Sequence, residues 1–286
     1  MSDSRLLTPR DLAEAIGTSE SSVRRWLDAG SVKVTRTAGG HRRIDITEAL
    51  RFIRDSGATV VRPEILNLTG VRRRIAAPRQ DAGADALFEA LVAGSVEVAR
   101  GLLASWYLEG RPVAEIIDAP VRLAMERVGE LWLHSTSGIL EEHRASAACF
   151  DALTHLRQLL VKPAASAPLA VGGAPEGDYY LIPSLAASIV LRDAGLRTQN
   201  YGANTPVDAL ARAALEHEAQ LIWLSFSVVP EDSVMRQFNR AARMLKGSHV
   251  QCVIGGRFVP QNSSTIRHVR RMASMTELAG FAATLR

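Results

Sequence analysis

LIWLSFS, residues 221–227, is seven residues long, uncharged and apolar at five positions. A run this short reads as a strand, and one that is apolar on both alternating sides reads as a strand covered on both faces. Similar runs flank it: LAVGG (169–173), TQNYG (198–202) and VQCVIGG (250–256). Amphipathic helical stretches separate them, over Ser184–Ala194, Pro206 to about His217, and Pro230–Leu245. Strands alternating with helices predict a doubly wound, Rossmann-like parallel sheet. It is expected over 168–286, with PAASAP (163–168) as its boundary. Such sheets bind ligands beyond the C-terminal strand ends. Those ends carry Asn204 and Thr205, Ser225 and Ser227, and Gly255 and Gly256. Small residues there either admit a bulky ligand or only turn the chain.

Upstream, 83–162 is helical in pattern. Gly94-Ser95, Gly110-Arg111-Pro112 and Thr136-Ser137-Gly138 divide it into four segments, which predicts a four-helix bundle. Trp132 closes the third segment, and Glu142 and His143 open the fourth. An aromatic plate beside an acid and an imidazole can hold a flat polar ligand. A buried Trp with a surface Glu-His pair is the plainer reading.

The first 56 residues form a separate head. Thr8-Pro9-Arg10-Asp11 is a helix start, Gly17 a stop and Thr18-Ser19 a second start. Two short helices about a glycine-containing turn predict a helix-turn-helix. The second helix exposes Ser21, Ser22, Arg24 and Arg25. Val32 to Ile44 reads as a two-stranded wing bearing Arg36, with Gly39-Gly40 at its tip followed by His41, Arg42 and Arg43. These side chains are candidate contacts for double-stranded DNA, at phosphates or base edges. A capped helix over Thr47–Arg54 closes the core. Residues 57–82, with the run Arg72-Arg73-Arg74, are expected to be a linker.

Charge agrees with that division. The first 80 residues carry 15 Lys and Arg against 9 Asp and Glu, while the whole 286-residue chain is only +4. A basic head on a near-neutral body points to a polyanion. No long apolar run suggests a membrane span, and the start of the chain lacks the apolar core of a signal peptide, so a cytoplasmic protein is expected. Cys149 and Cys252 lie apart in apolar stretches and read as buried free thiols. No Cys/His cluster suggests zinc, and no metal site is read from the residues themselves.

LAEAIGTSESSVRRWLDAG (12–30) followed by RTAGGHRRI (36–44) resembles the MerR family and related excisionase-like heads. The order of head, helical bundle and sheet resembles the CarH/LitR-type photoreceptor repressors, over nearly the whole chain. The resemblance implies a DNA-binding repressor with no enzymatic activity. It implies an adenosylcobalamin sensor whose upper face meets Trp132, Glu142 and His143, and a homo-oligomer, tetramer or dimer, that light dissociates. The family's acid-X-His-X-X-Gly motif falls on Asp178, Tyr180 and Pro183, so Tyr180 stands where the cobalt-binding histidine belongs. Leu133 follows Trp132 where some members carry a histidine. Three outcomes stay open: cobalamin bound without that histidine, another tetrapyrrole in the same cleft, or no ligand and control by an antirepressor protein. A corrinoid methyltransferase component is the competing class; it would not need the head.

Overall fold

The computed structural model describes residues 6–37, 39–68, 80–131, 138–260 and 269–286. The chain divides into two compact units. One comprises 1–112 with 119–161, and the other 113–118 with 162–286.

The first unit opens with β1 (Leu6–Leu7), α1 (Pro9–Ile16) and α2 (Glu20–Asp28). Thr8 caps α1 in a reciprocal box with Asp11, and Ser19 caps α2 through the Ser22 amide. β2 (Thr35–Arg36) and β3 (Arg42–Asp45) follow, then α3 (Ile46–Ser56). The small sheet is antiparallel in the order β1-β3-β2, so the expected two-stranded ribbon gains a third strand at Leu6-Leu7. Leu12, Val23, Ile44, Leu50 and Ile53 form its buried core.

Glu48 ties this head together. Its buried carboxylate accepts the Lys33 amide at 2.7 Å and holds Arg51, which also donates to the Ser31 carbonyl. Burial alone would raise this carboxyl; Arg51 and the Lys33 amide outweigh that and hold it below the usual range. The chain between α2 and the β2–β3 ribbon is thereby fixed to α3.

Within the predicted linker a 3₁₀ turn forms over Pro63–Leu66; Arg72, Arg73 and Arg74 lie outside the described residues. The helical region contains α4 (Gln80–Val92), α5 (Val96–Leu108), α6 (Val113–Ile116), a π-helical turn (Ile117–Val121), α7 (Arg122–Glu130) and α8 (Gly138–Leu159). The expected single third helix is therefore interrupted. Pro120 sits inside the π turn, where a missing N–H breaks the regular hydrogen-bond ladder. α5 packs on α8, α4 on α5, α7 and α8, and α3 on α5 and α8. Arg100 forks onto Asp151 between α5 and α8, and Arg54 lies over the Tyr107 ring at 4.5 Å.

The second unit is a five-stranded parallel sheet: β4 (Leu169–Gly173), β5 (Arg197–Asn200), β6 (Leu221–Ser225), β7 (Gln251–Gly255) and β8 (Val269–Met272). Its order is β5-β4-β6-β7-β8, with α9 (Ile182–Asp193), α10 (Val207–Glu216), α11 (Asp232–Met244) and α12 (Met275–Ala283) around it. The doubly wound sheet agrees with the pattern in the sequence. β8 and α12 were not legible there. β8 reads Val-Arg-Arg-Met and exposes both arginines, as an edge strand does, so it has no apolar run to find. Val171, Ile222, Leu224 and Phe226 join α10 and α11 in one core cluster. Alternation puts Trp223 and Ser225 on the opposite face, toward α9. Asp118 anchors the short 113–118 segment in this unit, accepting from the Met275 and Thr276 amides and the Thr276 hydroxyl at 2.7–2.8 Å.

Candidate functional site

Two places gather the residues singled out by sequence. The first is the head. Ser21, Arg24, Arg25, Arg36 and His41 are exposed; Ser22, Arg42 and Arg43 are half-buried. The hydroxyls of Ser21 and Ser22 meet that of Ser19 at 2.8 and 2.9 Å, and Arg25 donates to Ser22. They form a polar cluster at the α2 N-terminus, where the helix dipole favours an anion. Arg24 pairs with Glu20 on its own helix, an exposed pair of small energy.

The ribbon is brought onto the same helix. Arg42 reaches Asp28, the last residue of α2, at 2.7 Å. Arg36 pairs directly with Arg42 across the ribbon, and Thr35 with Arg43. Like charges directly opposite each other oppose strand pairing, a cost that the Arg42–Asp28 pair offsets in part. The tip is a tight turn, with Gly40 at φ 77° and its amide bonded to the Thr37 carbonyl. Trp26 packs against Phe52 in a tilted arrangement, ring centroids 5.0 Å apart, and belongs to the packing of the head.

The second place is the C-terminal end of the parallel sheet. The strand order reverses between β4 and β6, the point where such sheets open a crevice. Asp178 is fully buried there. Its carboxylate accepts the Ser227 amide at 2.6 Å and the Tyr180 amide at 3.1 Å, and its carbonyl accepts the Asn204 amide. The Asn204 side chain accepts the Gly177 amide from a left-handed backbone, φ 51°. Thr205 donates its amide to Ala174. Asp178, Asn204 and Thr205 thus clamp the loop after β4 onto the loops after β5 and β6. The Asp178 carboxylate is consumed by backbone amides, so it does not orient the Tyr180 phenol. Tyr179, Tyr180 and Leu181 stand outward at 72%, 58% and 47% exposure.

Ser225 and Ser227 each bury a hydroxyl oxygen with no hydrogen-bond partner among the described residues. Gly255 and Gly256 do not open space for a ligand. A Cβ on Gly256, at φ 112°, would lie 2.3 Å from the Phe226 carbonyl oxygen, and one on Gly255 would press on that of Met272. Their smallness serves close backbone approach. The sequence reading missed Trp223, which lies over Gly172; the signal was a bulky ring in one buried strand and a glycine pair in another. It also missed Gln237, which accepts the Val207 amide and donates to Glu176.

In the first unit, Glu142 and His143 lie in the second turn of α8. Glu142 is partly buried and accepts the Ser146 hydroxyl at 2.7 Å, while His143 is largely exposed. Trp132, Leu133 and His134 lie outside the described residues.

Residues 84–157 match the family described as "B12 binding domain". Among solved structures the chain is similar to the monomethylamine corrinoid protein of Methanosarcina barkeri, at 20% identity and a TM-score of 0.55, over 73% of this chain and all of that one. It is also similar to a cobalamin-binding protein of Desulfitobacterium hafniense, at 17% identity, 73% and 98% coverage, and a TM-score of 0.39. Comparison with curated proteins gave no match. The chain therefore contains a cobalamin-binding-type region, and the likeness to the first structure is one of fold.

The residues at the strand ends do not fit a histidine-ligated cobalt. In this unit the described histidines, His217 and His249, precede β6 and β7 and so stand at the opposite end of the sheet. Among the described residues no cluster of His, Cys, Asp or Glu could hold a metal ion, and no helix is long and apolar enough to cross a membrane. Cys149 and Cys252 are buried free thiols, and burial pushes both up to about 12.

Proposed function

We propose that this protein is a sequence-specific, DNA-binding transcriptional regulator, a repressor, whose corrinoid-type module senses a ligand and sets its oligomeric state. The carrying observation is the arginine pair Arg36–Arg42, opposed across the ribbon and tethered by Asp28 to the helix that presents Ser21, Ser22, Arg24 and Arg25. A helix joined to a basic ribbon suits a winged helix-turn-helix, with α2 in the major groove and the ribbon on the flanking backbone or minor groove. The family match over 84–157 supports a corrinoid or a related tetrapyrrole as the ligand, docked without an imidazole from the sheet. The buried, unpaired hydroxyls of Ser225 and Ser227 suit a polar edge of such a ligand.

Selection from a pool of randomised duplexes tests the regulator. Enrichment of one motif, repeated as an oligomer would require, supports it; a pool left unenriched at low salt contradicts it. Sizing the protein in the dark with adenosylcobalamin, before and after green light, then tests the sensor. A second reading, a corrinoid carrier in methyl transfer, draws on the likeness to the Methanosarcina protein. It has no use for the basic head and lacks the imidazole.

A further inference from the structure

At the switch point between β4 and β6, where such sheets receive ligands, the α9 face of the sheet is already covered. Gly172 pairs with Trp223 in register. A Cβ on Gly172 would lie 2.3 Å from Cδ2 of the Trp223 ring and 2.6 Å from Cε2. The indole therefore lies against the β4 backbone at Gly172, in space that any other residue at 172 would take. It is 2% exposed. Its Nε1–H has no acceptor among the described residues, and the Ser225 hydroxyl, two residues on and on the same face, has no partner either. Packing alone would be served by phenylalanine without a stranded donor. What occupies the slot is a planar bicycle with a ring nitrogen, the size class of the benzimidazole base in the nucleotide tail of cobalamin.

We propose that Trp223 is a built-in plug that takes the place of a ligand's ring, so that the module accepts a tetrapyrrole only with nothing inserted between the sheet and α9. The ligand class is a corrin-type or related macrocycle resting outside the strand ends, its nucleotide tail absent or left in solvent. This rests on the reading of the module as a tetrapyrrole sensor and narrows it.

The test compares the full chain with Trp223→Gly, using hydroxocobalamin, cobinamide (the same corrin without its nucleotide) and free dimethylbenzimidazole. The wild type should bind the two corrinoids within about threefold of each other, because the tail gains no contact. Trp223→Gly should bind cobalamin about tenfold or more tighter than wild type does, with cobinamide nearly unchanged. Dimethylbenzimidazole should raise the melting temperature of Trp223→Gly and not of wild type, since a ligand that fills an apolar cavity stabilises the folded state. A variant recovered folded only with that base present supports the plug equally. A wild type that prefers cobalamin to cobinamide by more than about tenfold overturns the proposal while leaving the sensor reading intact. A variant indifferent to both cobalamin and the free base, or one that the base cannot recover, also overturns it. If the wild type takes up neither corrinoid, the sensor reading fails instead, and the benzimidazole response still decides the plug.

Discussion

His155 lies on α8 beside the Arg100–Asp151 pair, with its Nε2 buried and unpaired. Burial, then the Arg100 charge, hold its pKa below the ordinary 6.5; Asp151 and Glu97 only partly offset this. The folded state thus binds a proton there less readily than the unfolded chain. Stability is full above the ordinary histidine range and falls as pH drops through and below it. His155→Leu, which keeps the volume and removes the titration, should flatten that fall in denaturant midpoints measured from neutral to mildly acid pH. Cys149 and Cys252 give a second prediction at this scale. Burial keeps both as neutral thiols, so alkylation should label neither until the protein unfolds. That cysteine burial was legible in the sequence from their apolar surroundings. The state of His155 was not, because it depends on burial within the packed helices and then on the charge of Arg100, 55 residues away on another helix.

Among elements, those with a strong apolar period or a chemical cap were legible. Thr8, Ser19 and Gly17 mark the head helices, and LIWLSFS marks the central strand. The segment from 113 to 130 was not, because its hydrophobic pattern continues through Pro120 while its backbone does not. β8 was hidden by its arginines, and α12 by its dependence on a distant cap. Asp118 supplies that cap together with Ser274. Asp118→Ala removes an acceptor for two backbone amides and a hydroxyl, and should cost about 1–2 kcal/mol. Thermal unfolding followed by hydrogen exchange should place the loss in α12 and the neighbouring α9. Unchanged protection of the α12 amides would contradict the capping role. The candidate cofactor residues divide the same way. Their strand-end positions could be read from spacing; the use of Asp178 as a backbone clamp, and of Gly255 and Gly256 as close-approach points, required the neighbouring loops.

The chain carries a head whose arginines face one another across a ribbon and a parallel-sheet module whose fold is similar to that of a corrinoid protein. The module has Tyr180 in place of an imidazole and Trp223 on its α9 face. Under the proposed function, DNA affinity should depend on the charge of the head and control on the sheet module, so the two should separate by mutation. The most direct measurement is fluorescence anisotropy of a labelled duplex titrated with the full chain over a series of salt concentrations, for wild type and for Arg42→Ala/Arg43→Ala. Wild-type binding should weaken steeply with salt. The double variant should bind more weakly on every sequence, its log–log slope shallower by about 1–2 per protomer. Loss of affinity with an unchanged slope would contradict the ribbon's role, and a wild type that leaves the duplex free at low salt would contradict the regulator itself.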